Sequence, residues 1–162
     1  MFSQFLLIAL SIGLGSTSTC NFSNGGVRAN WKIVNRSLQI HYTNARISNN
    51  QWTAIGFGPG MQNLNVIVFL VQNGRVQVRT GKTNGYRAPT FDNRSSVNVH
   101  SSNISGTTLN VLITVPLNFN GMNLLNCQTW NFVQTGQLMN GQLSRHTTTP
   151  FRVNNVCASQ CR

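Results

Sequence analysis

The hydrophobic and polar positions of the chain alternate with a period of two over much of its length, which is the pattern of half-buried β-strands. In the segment SLQIHYT the apolar side chains fall at Leu38, Ile40 and Tyr42, and polar side chains occupy the positions between them. Two other segments, WTAIGFG at 52–58 and NVIVFLVQ at 65–72, are apolar almost throughout. This composition is typical of strands that are buried on both faces.

Turn-forming residues separate these strands. Asn73–Gly74 follows the second apolar run, and both residues accept positive φ, so a two-residue hairpin is predicted there. A Ser-Gly turn at 105–106 predicts another hairpin, between SVNVHSSNI and TTLNVLITVPL. The segments GGVRANWKIV and CQTWNFVQTG supply further strands. About 8–10 short strands with this spacing predict an all-β fold, an immunoglobulin-like antiparallel β-sandwich.

The first part of the chain has a different character. Phe5 to Leu14 is an apolar run too short for a membrane span, and small residues follow it. We therefore predict a secretory signal peptide at 1–18 and a single domain at 19–162. No other apolar run is long enough for a transmembrane segment, so the expected localisation is secreted and extracellular.

The cysteines and the sequons agree with export. Four cysteines in an oxidising compartment predict two disulfides that staple the sandwich, with the connectivity left open: Cys20, Cys127, Cys157 and Cys161. A metal site built from the pair near the C-terminus is the weaker alternative. Asn-x-Ser sequons predict N-glycosylation at four positions: Asn21, Asn35, Asn93 and Asn103.

The charge balance is strongly basic. Twelve Lys and Arg stand against one acid, Asp92, which gives a net charge of +11. Such a field favours an anionic glycan or an acidic surface as partner. The basic residues are scattered, which argues against specific nucleic acid binding, and their densest group can equally be a solvated hairpin face: Arg75, Arg79, Lys82, Arg87 and Arg94.

The near-absence of acids limits the chemistry. One carboxylate cannot provide the pair of a glycosidase or the ligand set of a Ca²⁺ or Mg²⁺ site. The chain also lacks a Gly-x-Ser-x-Gly elbow. We therefore expect no enzyme and no catalytic residues.

The remaining candidate ligands are histidines and methionines. Met61 lies in a polar loop between the two apolar strands, and His146 lies in the polar segment GQLSRHTTTP. His41 and His100 fall on the polar faces of strands, where solvent exposure is the simpler interpretation. Met122 and Met139 also lie in turn-like surroundings, so spacing alone does not distinguish Met61.

The order of these features resembles the DOMON family, from about Trp31 to about Pro150. The segment WTAIGFGPGMQNLNVIVF is similar to the family's aromatic strand, Met-bearing loop and apolar strand. GYRAPTFD, with Pro89 and Asp92, resembles the family's Gly/Tyr…Pro-x-x-Asp segment. A late aromatic strand, TWNFVQTG, and a closing histidine in SRH complete the likeness.

The resemblance implies a b-type haem at one end of the sandwich, with Met61 and His146 as axial ligands to its iron. Gly58 and Gly60 would then let the loop approach the macrocycle. Arg145, beside His146, is a candidate partner for a haem propionate, with an ordinary surface arginine as the alternative. With both axial positions filled, the expected function is one-electron transfer with an extracellular redox partner. The alternative is a non-catalytic binding module for a sugar or small apolar ligand without haem. A cationic structural or defence protein is a third, weaker interpretation.

Overall fold

A computed structural model describes residues 20–162, so the predicted signal peptide lies outside the described residues. This part of the chain consists of fourteen strands and a short 3-10 helix, Ala158–Gln160. The strands are β1 (Asn21–Asn24), β2 (Val27–Val34), β3 (Ser37–Asn44), β4 (Gln51–Phe57), β5 (Asn65–Gln72), β6 (Arg75–Lys82), β7 (Thr90–Phe91), β8 (Asn98–Ser105), β9 (Thr108–Pro116), β10 (Asn118–Phe119), β11 (Met122–Asn123), β12 (Gln128–Met139), β13 (Gln142–His146) and β14 (Phe151–Val156).

The strands form two main sheets. The smaller sheet has the order β1-β2-β3-β9-β8, and the larger has the order β13-β12-β4-β5-β6-β7, with β14 also paired to β12. β10 and β11 form a separate small hairpin. Neighbouring strands pair antiparallel throughout. The predicted all-β sandwich is therefore confirmed, with several short strands beyond those that the pattern indicates.

The burial of the strands follows the hydrophobic pattern. β3 alternates, with Leu38, Ile40 and Tyr42 buried. β4 and β5 are buried at nearly every position, as predicted for strands covered on both faces. β13 and β14 are short and mix polar with apolar residues, so the sequence gives little sign of a strand, and each is defined by its pairing with the long strand β12.

One predicted turn is correct and the other is displaced. Asn73 and Gly74 have φ values of 51° and 68°, so both adopt the left-handed conformation that the β5–β6 hairpin requires. The second turn consists of residues 106 and 107, and Ser105 is the last residue of β8. Gly106, with φ 57°, supplies the left-handed residue, so the turn begins at the glycine instead of ending there.

Aromatic side chains fill the space between the sheets. The rings of Phe22 and Phe132 stack with centroids 4.3 Å apart, and those of Trp31 and Trp130 lie 4.6 Å apart. These contacts join strands of the smaller sheet to β12 of the larger one. They hold the two sheets together through large apolar contacts, which dominate core energetics.

A buried polar network also links the sheets. The Tyr42 hydroxyl lies 2.5 Å from Thr53 Oγ1, which donates in turn to the Val133 carbonyl at 2.5 Å. The Tyr42 hydroxyl is therefore the donor to Thr53. Asn44 donates to the same Thr53 hydroxyl at 3.1 Å. Burial is the main cause that raises the pKa of Tyr42 well above its ordinary value.

Two disulfides tie both termini of the described chain to the sandwich. Cys20 is bonded to Cys161, and Cys127 is bonded to Cys157. The prediction that all four cysteines form two disulfides is therefore confirmed. Within residues 20–162 no helix is long and apolar enough to cross a membrane.

Candidate functional site

A large cleft lies on the outer face of the larger sheet. Alternate residues of β4 and β5 point away from the main core and form a second hydrophobic cluster with the loops that cover them. The cleft has a volume of about 810 Å³. It is lined by Trp52, Ala54, Gly56, Gly60, Met61, Leu64, Val66, Val68, Thr83, Tyr86, Arg87, Ala88, Pro89, Asn131, Val133, Leu143, Ser144, Arg145, His146, Thr149, Pro150 and Arg152.

Small and aliphatic side chains form the floor of this cleft. Ala54, Val66 and Val68 come from the two central strands and are buried, although they lie on the outer face of the sheet. A Cβ atom at Gly56 would lie 3.1 Å from Leu64 Cδ1, so the absence of a side chain there lets the covering loop come close. The floor is therefore apolar, and its side chains are shielded from water.

Trp52 forms one wall. Its indole nitrogen donates to the Ser144 carbonyl at 3.2 Å, which links β4 to β13. The indole packs against the backbone of β12 at Gly136, where any Cβ would overlap it. The pairing of β12 with β4 shifts between Val133 and Gly136, and this irregularity makes room for the ring.

Met61 lies on the loop between β4 and β5 and is half-buried. Two side chains hold the start of this loop through consecutive carbonyl groups. Asn131 Nδ2 donates to the Gly58 carbonyl at 2.8 Å, and Arg152 Nη2 donates to the Pro59 carbonyl at 2.7 Å. Asn131 and Arg152 are themselves cross-strand partners on β12 and β14. We call this pair the loop clamp.

The other end of the Met61 loop is held by the segment between β6 and β7. Thr83 Oγ1 accepts a hydrogen bond from the Leu64 backbone nitrogen at 2.8 Å, and the Thr83 nitrogen donates to the Leu64 carbonyl at 2.9 Å. The Gly85 nitrogen also points to the Gln62 carbonyl, at 3.5 Å. Hydrogen bonds to the loop backbone before and after Met61 therefore hold this loop in place.

His146, the last residue of β13, is also half-buried and lines the same cleft. Its Nδ1 lies 2.7 Å from the Thr148 carbonyl oxygen. A carbonyl can only accept, so Nδ1 carries the proton and the neutral ring has its lone pair on Nε2. The structure thus brings the two predicted ligands to one cleft and gives the imidazole the tautomer that suits metal ligation.

The cleft is cationic. Arg87, Arg145 and Arg152 line it and are exposed. Tyr86, beside Arg87, has 86% of its surface exposed, which is unusual for a large aromatic side chain. The one acid, Asp92, is occupied elsewhere: its Oδ2 accepts from Thr80 Oγ1 at 2.5 Å and from Asn120 Nδ2 at 3.1 Å. Within the described chain, no acidic side chain therefore neutralises the charge of the three arginines in the cleft.

The predicted loop glycines have different positions. Gly60 lines the cleft, and a Cβ there would come no closer than 3.9 Å to Arg152 Nη2. Gly58 lies at the base of the loop with φ 130°, where its nitrogen donates to the Thr129 carbonyl at 2.8 Å. Gly58 therefore shapes the loop backbone, behind Leu64, rather than the cleft surface.

The other candidate residues lie elsewhere. His41 and His100 are exposed on the smaller sheet, as the alternation predicts, and His100 sits within 2.6 Å of Thr114 Oγ1. Met122 packs against the main core, and Met139 is 66% exposed. The basic residues that lie close together in the sequence occupy different places in the fold. Arg87 lines the cleft, whereas Arg79 Cζ lies 3.9 Å from the centroid of the Phe91 ring. The four sequon asparagines are all exposed.

Sequence reasoning missed Asn131, Arg152 and Tyr86. Tyr86 falls inside the segment GYRAPTFD, which already stood out, so its place beside Arg87 could have been noticed. Asn131 and Arg152 act through the register of β12 with β14, which no local pattern indicates. The location of the site also differs from expectation, because the cleft lies on the outer face of a sheet rather than at one end of the sandwich.

These features fit a b-type haem. The volume is within the range of about 300–1,000 Å³ that small-molecule and cofactor sites occupy. The apolar floor suits a flat macrocycle, the arginines suit its carboxylates, and Met61 and His146 supply a thioether and an imidazole. Among residues 20–162 no three His, Cys, Asp or Glu side chains cluster as they would around an ordinary metal ion.

Comparisons with known proteins agree with this fold. The DOMON domain model matches residues 23–136. The DOMON domain-containing protein CBG21753 of Caenorhabditis briggsae is 34% identical over 169 residues, covering 99% of each chain. Y73F4A.2 of Caenorhabditis elegans, also a DOMON domain-containing protein, is 35% identical over 162 residues, covering 96% of each.

A solved structure has the same architecture. The cytochrome domain of Myriococcum thermophilum cellobiose dehydrogenase matches with a TM-score of 0.60 over 84% of this chain and 83% of that chain. Its sequence identity is 13%, so the likeness concerns the fold. The family match includes Met61 and ends before His146. With the match spanning most of the sequence and relatives aligned over nearly their whole length, the chain belongs to the DOMON domain family.

Proposed function

We propose that this protein is a secreted b-type haem protein that exchanges single electrons with an extracellular partner. One observation carries the proposal: Met61 and His146, from two separate segments, line the same cleft, which has an apolar floor, and the Thr148 carbonyl holds the His146 proton on Nδ1. When bound, haem supplies one-electron chemistry, and a Met/His ligand pair tends to raise its reduction potential.

Different residues of the chain would bind different parts of the haem. Met61 Sδ and His146 Nε2 would hold the iron, and the Thr148 carbonyl fixes the orientation of the imidazole. Arg145, Arg87 and Arg152 provide guanidinium donors for the propionates. The aliphatic floor excludes water and, with Trp52, gives the apolar contact area.

The fold relationship supports this proposal. The similar solved structure is named as a cytochrome domain, and its fold is shared over most of both chains. With Met61 and His146 both holding the iron, haem would supply electron transfer rather than catalysis, which agrees with the shortage of acids in the sequence.

The partner is proposed to be acidic and to dock at the mouth of the cleft. Tyr86, Arg87 and Arg145 lie there, and Tyr and Arg are the side chains enriched at interface hot spots. A net charge of +11 would steer an acidic protein or matrix surface to the protein, with a salt-dependent rate. The two disulfides and the family indicate an extracellular domain, and we infer secretion from the sequence before residue 19.

A visible spectrum with added haemin tests the proposal. Wild type, Met61→Ala and His146→Ala are compared before and after reduction with dithionite. Met139→Ala and His41→Ala are matched controls, because they remove the same residue types at exposed positions outside the cleft. We expect sharp split bands in reduced wild type and both controls, and altered bands in both ligand variants. Unchanged spectra in the ligand variants would refute the assignment.

The same cleft supports a second function, the binding of a small apolar ligand or sugar without haem. Its aliphatic floor and Trp52 wall would suit either. A featureless spectrum in wild type would favour this function. The quenching of Trp52 fluorescence by candidate ligands would then be the measurement to make, with Trp52→Phe as the reference.

A further inference from the structure

β8 is an exposed edge of the smaller sheet. It pairs with β9 alone within the described chain, and seven of its eight residues are exposed, the exception being Ile104. A free edge presents unpaired N–H and C=O groups on which a strand of another molecule can pair. Proteins usually block such edges with lysine, proline, short strands or bulges.

β8 has few of these protective features. Its sequence, NVHSSNIS, contains no Lys, Arg or Pro. A register shift between Val99 and Ser101 interrupts its first half. From Ser101 to Ser105 the pairing with β9 is regular, ending at Ser105 opposite Thr108. This half of the edge is regularly paired and uncharged, and polar except for Ile104.

The sequon Asn103-Ile104-Ser105 lies in this regular half. Asn103 is exposed and pairs with Asn110. Asn110 accepts a hydrogen bond from Thr43 Oγ1 at 3.0 Å, and this pair lies on the outer face of the smaller sheet. Asn103 therefore lies on that same outer face, while the cleft lies on the outer face of the other sheet.

We propose that Asn103 carries an N-linked oligosaccharide whose role is to prevent the edge of β8 from pairing with a second chain. A paired strand would lie about 4.8 Å away, and its side chains on the outer face would overlap the space of a branched, hydrated glycan on Asn103. The overall positive charge does not replace this block. At physiological salt, charges more than about 8 Å apart are largely screened.

The opposite edge of the same sheet has a related arrangement. β1 also carries a sequon, at Asn21, which is exposed and pairs with the exposed Asn30. β1 has only four residues, and shortness alone protects an edge. Asn103 is therefore the position at which loss of a glycan has the largest effect.

The test uses the full protein secreted from a eukaryotic cell line. Asn103→Gln and Ser105→Ala both remove the sequon on β8. Asn35→Gln is the matched control, because it removes a sequon from the exposed turn between β2 and β3. Mass before and after glycosidase treatment measures occupancy, and size-exclusion chromatography with light scattering measures association at 150 mM NaCl.

We expect wild type to lose mass at Asn103 on deglycosylation. Both β8 variants should associate at a concentration about tenfold lower than wild type and Asn35→Gln, which corresponds to about 1.4 kcal/mol. Adding Ser101→Lys to Asn103→Gln should restore the monomer, because a lysine on a free edge also opposes pairing. If a variant is not secreted, trimming folded wild type with an endoglycosidase tests the same association.

Three results would overturn the proposal. The first is an unmodified Asn103 in the secreted wild type. The second is that the β8 variants stay as monomeric as Asn35→Gln. The third is that adding Ser101→Lys leaves the association unchanged. None of these outcomes depends on haem, so the experiment tests the role of the Asn103 glycan independently of the function of the cleft.

Discussion

The loop clamp gives a quantitative prediction about how the site is built. Asn131 is 7% exposed and donates to the carbonyl of Gly58, which is also buried. Asn131→Ala leaves that carbonyl without its donor, and an unsatisfied buried acceptor costs about 1–3 kcal/mol. We therefore expect a loss of about 2 kcal/mol in the free energy of unfolding.

Arg152→Ala removes the other half of the clamp at an exposed position and should cost less, about 0.5–1 kcal/mol. Urea denaturation measures both values, and an unchanged m value shows that the same surface unfolds. Asn154→Ala is the matched control, because it removes an exposed side-chain hydrogen bond to Thr129 from the same strand, β14. The control should stay within about 0.5 kcal/mol of wild type.

The clamp also predicts a change in haem affinity. Loosening the loop that carries Met61 should weaken haemin binding by about 10–100-fold, the usual effect of losing a residue that supports a ligand. Haemin titration of Asn131→Ala and Asn154→Ala measures this ratio. Equal stability and equal haemin affinity in these two variants would refute the clamp as a support for Met61.

Three further predictions concern other parts of the molecule. Arg87→Gln or Arg145→Gln should slow oxidation of the reduced, haem-loaded protein by ferricyanide about threefold at low salt, whereas Arg28→Gln, an equal charge change on β2, should not. Stability should fall above pH 10.0, where an unfolded tyrosine ionises while buried Tyr42 keeps its proton, and urea unfolding of Tyr42→Phe should show a shallower fall. Gly136→Ala should cost about 1–3 kcal/mol because its Cβ overlaps the Trp52 indole, whereas Gly60→Ala should change the urea midpoint little.

Much of the sandwich follows from local patterns. The runs around Ile55 and Ile67 are apolar at consecutive positions, so their burial on both faces is visible in the sequence. Asn73–Gly74 defines its hairpin because both residues can adopt positive φ. β13 and β14 are harder to predict, because each is short and mixes polar with apolar residues, and only pairing with β12 makes them strands.

The candidate site is only partly visible in the sequence. Met61 stands out as a thioether in a polar loop, and His146 stands out through the resemblance to the family. Their common cleft could not be derived, because it requires the fold to bring together two segments that are distant in the chain. The roles of Arg152 and the Thr148 carbonyl depend on hydrogen-bond geometry that sequence spacing does not determine.

The location of the cleft has a physical reason in the central strands. Residues of β5 that point inward, such as Ile67 and Phe69, belong to the main core, and their neighbours Val66 and Val68 form the cleft floor. An antiparallel sheet usually presents a polar face to water. Here the outer face is apolar, so leaving it uncovered would expose hydrophobic surface. Loops tied together by hydrogen bonds cover most of it, so Val66 and Val68 are buried, and an apolar ligand within the cleft would cover the half-buried lining residues Met61 and Leu143. Ligand binding should therefore stabilise the fold, and a rise in the melting temperature with added haemin, absent in Met61→Ala, would show that the same site is responsible.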